Sequence, residues 1–207
     1  MRYSEMNRQT KETDISLKLA LEPGESKIDT GIGFFDHMLT AFAFYGGMSL
    51  DLTCKGDLQV DGHHTVEDVG IVLGDALAQA LGDKSGIARY GSFYLPMDES
   101  LAYAGVDVCG KPLTDALAFA ALDISGRPYL EYNGRFQQEK VGEYDTCLTS
   151  EFFRALAFHA GITLHARVEE NGNAHHAIEA LFKAVAHALG EAVRPKNGTL
   201  STKGSLD

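Results

Sequence analysis

The 207 residues carry 18 lysines and arginines against 29 aspartates and glutamates, a formal net charge of −11 with the histidines neutral. That balance excludes a general electrostatic field for nucleic acid or an anionic membrane, so any phosphate bound must be held by local cations. A hydrophobic content of 44% fills the core of one domain or of two small similar halves, and excludes a disordered chain.

In chain order, the alternation of Ile15, Leu17, Leu19 and Leu21 predicts a strand that runs into the turn Pro23-Gly24. An apolar helix carries Phe42 and Phe44, and Ser49 to Cys54 reads as a second strand. Val66, Val69, Leu73, Leu77, Ala80 and Leu81 keep the three-to-four spacing of one buried helical face, with Gly82 placed to end the helix. A further apolar helix carries Leu156 and Phe158, and Ile162 to Val168 reads as a strand. Ile178, Leu181, Val185, Ala188 and Leu189 mark a last helix ahead of Gly190, and the polar tail from Arg194 to Asp207 has the composition of a frayed end. Cys54, Cys109 and Cys147 are an odd number without paired spacing, which fits a reducing compartment. The polar start, Met1 to Thr10, and the interrupted apolar stretches supply neither a signal peptide nor a membrane span, so a cytoplasmic protein is expected.

These elements repeat. His63-His64-Thr65-Val66-Glu67 returns as His175-His176-Ala177-Ile178-Glu179 at an offset of 112, and Gly47-Met48-Ser49-Leu50 returns as Gly161-Ile162-Thr163-Leu164 at 114. Leu81-Gly82 meets Leu189-Gly190 at 108, which predicts four extra residues in the first copy. A period above one hundred is a domain duplication. The expected fold is α+β: two halves related by a pseudo-twofold axis, each a small, mostly antiparallel sheet with helices on one face. Residues 1–90 form the first half, 91–193 the second and 194–207 a C-terminal tail. A shorter echo, Val106 to Pro112 against Leu122 to Pro128 with a shift of 16, predicts an added strand and turn near residues 105–120.

The repeated motif carries chemistry. On a helix each histidine shares a face with the glutamate three or four residues on, while adjacent histidines diverge by about 100° and can serve two metal ions. Imidazole with carboxylate suits manganese, iron or zinc rather than a soft metal. From eight histidines and fourteen glutamates, chance supplies about 0.02 copies of His-His-x-x-Glu, so two copies in register are not accidental. The offset of 114 also sets His37 opposite Glu151, giving eight candidate ligands: His37, His63, His64, Glu67, Glu151, His175, His176 and Glu179. Four per ion for two ions leaves room for water or substrate on an octahedral centre. His159, His165 and His187 lack this double support and read as packing or surface residues.

Thr30 to Leu39, Gly62 to Asp68, Asn173 to Ala184 and the terminal Ser201-Thr202-Lys203-Gly204 together resemble the imidazoleglycerol-phosphate dehydratase family of histidine biosynthesis, over nearly the whole chain. The resemblance implies a lyase that dehydrates imidazole glycerol phosphate to imidazole acetol phosphate with two Mn2+ per active site, in a homo-oligomer of 24 subunits with sites between subunits. The family's metal ligands fall on the eight positions above; at Glu151 some relatives have histidine. Its substrate contacts fall on Glu12, Arg89, Arg127, Lys183, Ser201 and Lys203. The echo leaves Lys111 and Arg127 competing for one family arginine, and the following Tyr129-Leu130 and Lys140-Val141-Gly142 favour Arg127.

The chemistry accounts for these residue types. The C–H bond to be broken is not next to a carbonyl, so a base alone meets a poor acid; an imidazolate held between two metals supplies the electrons that expel the neighbouring hydroxyl. A diazafulvene follows, and a carboxylate then takes the next proton to give the enol. Glu12, Glu67 and Glu179 are all candidates for that base. Two rivals use the same ligands: a dinuclear metallohydrolase, and a metal-storage shell that would need neither the phosphate cations nor the Ser-Thr-Lys-Gly tail.

Overall fold

The computed structural model describes residues 2–97 and 116–198. The first half runs β1 (Tyr3–Gln9), β2 (Thr13–Ala20), β3 (Lys27–Asp29), α1 (Gly33–Gly46), β4 (Ser49–Gly56) and α2 (His63–Leu81). The second runs β5 (Tyr90–Met97), β6 (Ala116–Asp123), β7 (Tyr129–Asn133), the short hairpin β8 (Lys140–Val141) and β9 (Tyr144–Asp145), then α3 (Leu148–Ala160), β10 (Thr163–Asn171) and α4 (Ala174–Ala192). The sheets have the same strand order, β1-β2-β4-β3 and β5-β6-β10-β7, so the duplication read from the histidine motifs is a duplication of topology. Each sheet is antiparallel except at one edge, where β3 runs parallel to β4 and β7 parallel to β10.

Period-two patterning explains which face of the first sheet is covered. Ile15, Leu17 and Leu19 of β2 and Leu50, Leu52 and Cys54 of β4 point inward, and the residues between them are exposed or half-buried. Helix α2 covers the first sheet and α4 the second, while α1 lies on α4 and α3 on α2, so both helix pairs cross from one half to the other. Asp68 fixes α2 to its sheet: it accepts from Thr13 Oγ1 at 2.5 Å and from Arg8 at 2.9 Å. A single core joins the halves through Phe35, Phe152, Phe153, Phe182 and Tyr144. No helix of the described residues is long and apolar enough to cross a membrane.

The helix ends match across the repeat, with one correction. α1 and α3 both stop at a left-handed glycine, Gly47 at φ 66° and Gly161 at φ 63°. Gly82 ends α2 as predicted, but Gly190 does not end α4, which continues to Ala192. Gly190 is a contact point instead: a Cβ there would lie 2.8 Å from the carbonyl oxygen of Gly46 at the end of α1. Both motif helices are therefore 19 residues long, and the expected four-residue excess in the first copy is not present. The first strand-turn of the echo, residues 106–112, lies outside the described residues; its second copy forms the end of β6 and the turn at Gly126.

Candidate metal centres

The start of α1 is set by Asp36, which accepts from the Thr30 N–H at 2.8 Å and the Thr30 hydroxyl at 2.6 Å. His37 follows it. On α4 the Asn173 side chain caps the helix by accepting from the His175 N–H at 2.9 Å, which places His175 and His176 in the first turn and Glu179 one turn later. Because α1 crosses α4, His37 Nε2 comes to 3.7 Å from Glu179 Oε1, and His175 Nε2 lies 3.3 Å from Glu179 Oε2. Among the described residues these three are the one group of three histidine, cysteine or carboxylate ligand atoms all within 4.8 Å of one another.

Donors at right angles on an ion with bonds of about 2.1 Å sit roughly 3 Å apart, so this trio can hold a divalent ion with little adjustment. Phe34 packs edge-on to His175 at 5.0 Å and supports the ring, while the His176 ring stands edge-on to His175 at 5.9 Å, outside the trio. Lys183, one turn past Glu179, reaches Glu179 Oε1 at 2.7 Å and lies over the Tyr45 ring. Burial pushes the Glu179 carboxyl up, but the Lys183 hydrogen bond and charge, with His37 and His175, bring it below the usual carboxylate value.

The pseudo-equivalent residues meet between α2 and α3. Asp61 accepts from the His63 N–H at 2.8 Å at the start of α2, and His63 Nε2 lies 3.4 Å from Glu67 Oε2. Arg154 of α3 lies between the two carboxylates: its Nη2 is 3.0 Å from Glu67 Oε1 and 3.1 Å from Glu151 Oε2. His64 points elsewhere. Its Nδ1 lies 3.1 Å from each oxygen of Asp57, and its Nε2 is 3.7 Å from Glu12 Oε1. The Asp57 hydrogen bond, opposed by burial and helped by the charge of Glu12, raises the His64 pKa. The Asp57 N–H in turn donates to the Glu12 carbonyl at 3.0 Å, fixing the β1–β2 turn against this histidine.

The candidate phosphate cations occupy a third place. Arg89 directs Nε and Nη2 at Asp123 at 2.7 and 3.1 Å, and Arg127, largely exposed, approaches the same carboxylate at 3.5 Å. Arg89 holds φ +73°, secured by its N–H on the Ala192 carbonyl and by the Ile124 N–H on its own carbonyl. Ser201 and Lys203 lie outside the described residues, as do Lys111 and Cys109. A single chain thus brings the predicted residues together in separate groups: His37, His175, Glu179 and Lys183; His63, Glu67 and Glu151; His64 with Glu12; and Arg89 with Arg127.

Three members of these groups escaped the sequence reading: Arg154, Asp57 and Asp123. Only Arg154 had a local signal, lying three residues after Glu151 on a helix. His159 pairs with Asp75 at 2.9 Å, His165 sits beside Tyr129, and His187 stacks on Phe93 at 4.0 Å, in keeping with surface and packing roles.

The family model for imidazoleglycerol-phosphate dehydratase matches residues 30–115 and 111–189, its break falling in the segment that carries the echo. The chain is 50% identical to the imidazoleglycerol-phosphate dehydratase of Clostridium kluyveri and 51% identical to that of Bacillus anthracis, in each case over all of both chains. Among solved structures it resembles the Staphylococcus aureus imidazoleglycerol-phosphate dehydratase, with TM-score 0.79 and 40% identity over 94% of this chain and 99% of that one. The Pyrococcus furiosus enzyme, solved in complex with (S)-C348, follows with TM-score 0.78 and 36% identity over 97% and 99%. On these matches and the shared duplicated topology, the chain belongs to the imidazoleglycerol-phosphate dehydratase family, the lyases that carry out the dehydration step of histidine biosynthesis.

Proposed function

We propose that the dehydration runs on two Mn2+ ions per active site, held by His37, His63, His64, Glu67, Glu151, His175, His176 and Glu179. The observation that carries this reading is the meeting of His37, His175 and Glu179 from two helices in two different halves. When bound, the ions keep the substrate's imidazole ring deprotonated, so that ring electrons drive out the neighbouring hydroxyl.

The chain's own residues do the rest. Glu67 and Glu179 are each engaged by a cation, Arg154 or Lys183, which occupies one oxygen of the carboxylate. Among the described residues the ion-pair partner of the Glu12 carboxylate is His64, at 3.7 Å, and the carboxylate is about half exposed, which favours it as the base that takes the second proton. Lys183, Arg89, Arg127, Ser201 and Lys203 supply the local cations and hydroxyl that a phosphate ester needs in an acidic chain. The separation of the groups within one chain supports sites completed by neighbouring copies, in an assembly of 24 subunits acting in the cytoplasm.

Elemental analysis joined to an assay for the enolisable ketone product, before and after chelation and with Mn2+ restored, tests this. Two ions per chain, loss of turnover on chelation and recovery with Mn2+ are expected, together with a smaller hydrodynamic size for the stripped protein. Turnover that survives exhaustive chelation overturns the metal reading. Inorganic phosphate as product would mean hydrolysis, and bound metal without turnover would mean storage. Glu12→Gln should abolish ketone formation while keeping the metal content; full activity removes Glu12 from the role of base.

A further inference from the structure

The two helix-pair centres repeat one arrangement with different parts. In each, the motif glutamate turns Oε2 to the first histidine, at 3.3 Å for Glu179 and 3.4 Å for Glu67, and Oε1 to a cation, Lys183 at 2.7 Å or Arg154 at 3.0 Å. The cations are not duplicates of each other. By the repeat offsets, Lys183 corresponds to Ile71 and Arg154 to Thr40, so a cation reached the same oxygen by two routes. Arg154 also does what Lys183 does not: through Nε and Nη2, both at 3.1 Å, it holds Glu151 Oε2 as well. One planar fork therefore ties two carboxylates from two helices and leaves one oxygen on each unoccupied by it.

We infer that Arg154 is a positioning residue that sets Glu67 and Glu151 as single-oxygen donors to a divalent ion at the α2/α3 centre, and so governs metal affinity there and not at α1/α4. Its positive charge opposes an incoming ion, but the side chain is 52% exposed, so solvent weakens that repulsion, while its hydrogen bonds to the two carboxylates act at contact, at 3.0 and 3.1 Å. The assignment rests on the two-metal reading above.

The test is Mn2+ binding to the intact protein and to Arg154→Met and Arg154→Lys, followed by competition with a chromogenic chelator and by elemental analysis. In Arg154→Met one class of site should weaken by about tenfold to a hundredfold, the usual cost of losing a group that orients a metal ligand, while the other class keeps its affinity. Arg154→Lys should lose less, since it restores charge without the fork. The metal-free melting temperature should stay within a few degrees of wild type, because an exposed ion pair contributes little to folding stability. Unchanged or tighter binding in both classes overturns the assignment, and so does equal weakening of both. If the methionine variant does not fold, wild-type affinity in Arg154→Lys overturns it equally. A wild-type protein that binds no Mn2+ would instead sink the two-metal reading itself.

Discussion

Helix α2 meets α3 along Gly70 and Gly74, one turn apart, and this crossing sets the distance from Glu67 to Arg154. A Cβ at Gly70 would lie 2.9 Å from the Ala155 Cβ and 2.9 Å from the Phe152 carbonyl oxygen; at Gly74 it would lie 2.6 Å from the His159 Cβ and 2.9 Å from the Leu156 carbonyl oxygen. Backbone oxygens cannot rotate away, so the helices must part by about half an ångström to reach ordinary contact near 3.5 Å. On a lone helix Gly→Ala would stabilise by about 1 kcal/mol, whereas overpacking costs about 1–3 kcal/mol. Gly70→Ala is therefore expected to lose about 1 kcal/mol net, or roughly 2–4 °C in Tm for a chain of this size. The double variant Gly70→Ala/Gly74→Ala should lose less than the sum of the two single losses, because one separation relieves both clashes. The same movement carries Glu67 away from Glu151 and weakens Mn2+ binding at α2/α3 only. Denaturant unfolding of the metal-free protein, with metal titration alongside, measures both effects. Gly33→Ala is the control, because nothing lies within 4 Å of its Cβ position and stability should stay within about 0.5 kcal/mol. A Gly70→Ala protein that gains the full helix-propensity stabilisation and binds metal normally would refute the reasoning.

Three further outcomes follow from the electrostatics. Asp57→Asn should lower the His64 pKa in the metal-free protein, read by NMR titration of the ring; the wild-type linkage stabilises the fold below the ordinary histidine value of about 6.5 and fades as pH rises through the raised native value, and an unshifted titration would contradict it. Glu179 runs the other way: its depressed native pKa stabilises the fold above the ordinary glutamate value of about 4.3 and is lost as pH falls through the native value, so stripped Glu179→Gln should show a flatter acid limb, and superimposable limbs would count against the Lys183 pairing. Asp123→Asn should cost about 1–3 kcal/mol in denaturant unfolding, because the mostly buried Arg89 fork loses its charged acceptor; wild-type stability would show that Arg89 is held by other partners.

What was legible in the sequence was whatever leaves a local or repeating trace. The His-His-x-x-Glu pair exposed the duplication because a rare five-residue pattern at one offset survives any drift in the strands around it. Strand β2 and helix α2 announced themselves through period-two and three-to-four spacing. β3 did not, since three residues, Lys27–Asp29, are too few to carry a period, and its parallel pairing is a property of β4 as much as of itself. Gly190 was misread because a glycine required for close approach to another backbone looks, in one dimension, like a glycine required to stop a helix. Asp57 lies in a segment with no pattern, and Asp123 in the echo, whose repetition says nothing of what its aspartate touches; the partners of both are set by the folded chain. The grouping of His37 with His175 and Glu179 depends on a crossing of helices 138 residues apart in the motif positions, which no spacing rule expresses.

The placement of the two cations bears on how such a chain arose. Lys183 and Arg154 both belong to the second repeat, and their first-repeat counterparts are Ile71 and Thr40. An ancestor assembled from two identical copies of the first repeat would have carried the ligands with neither counter-charge; one built from two copies of the second would have carried both at every centre. The present chain is a division of labour between unequal twins, and swapping its repeats would unmake it.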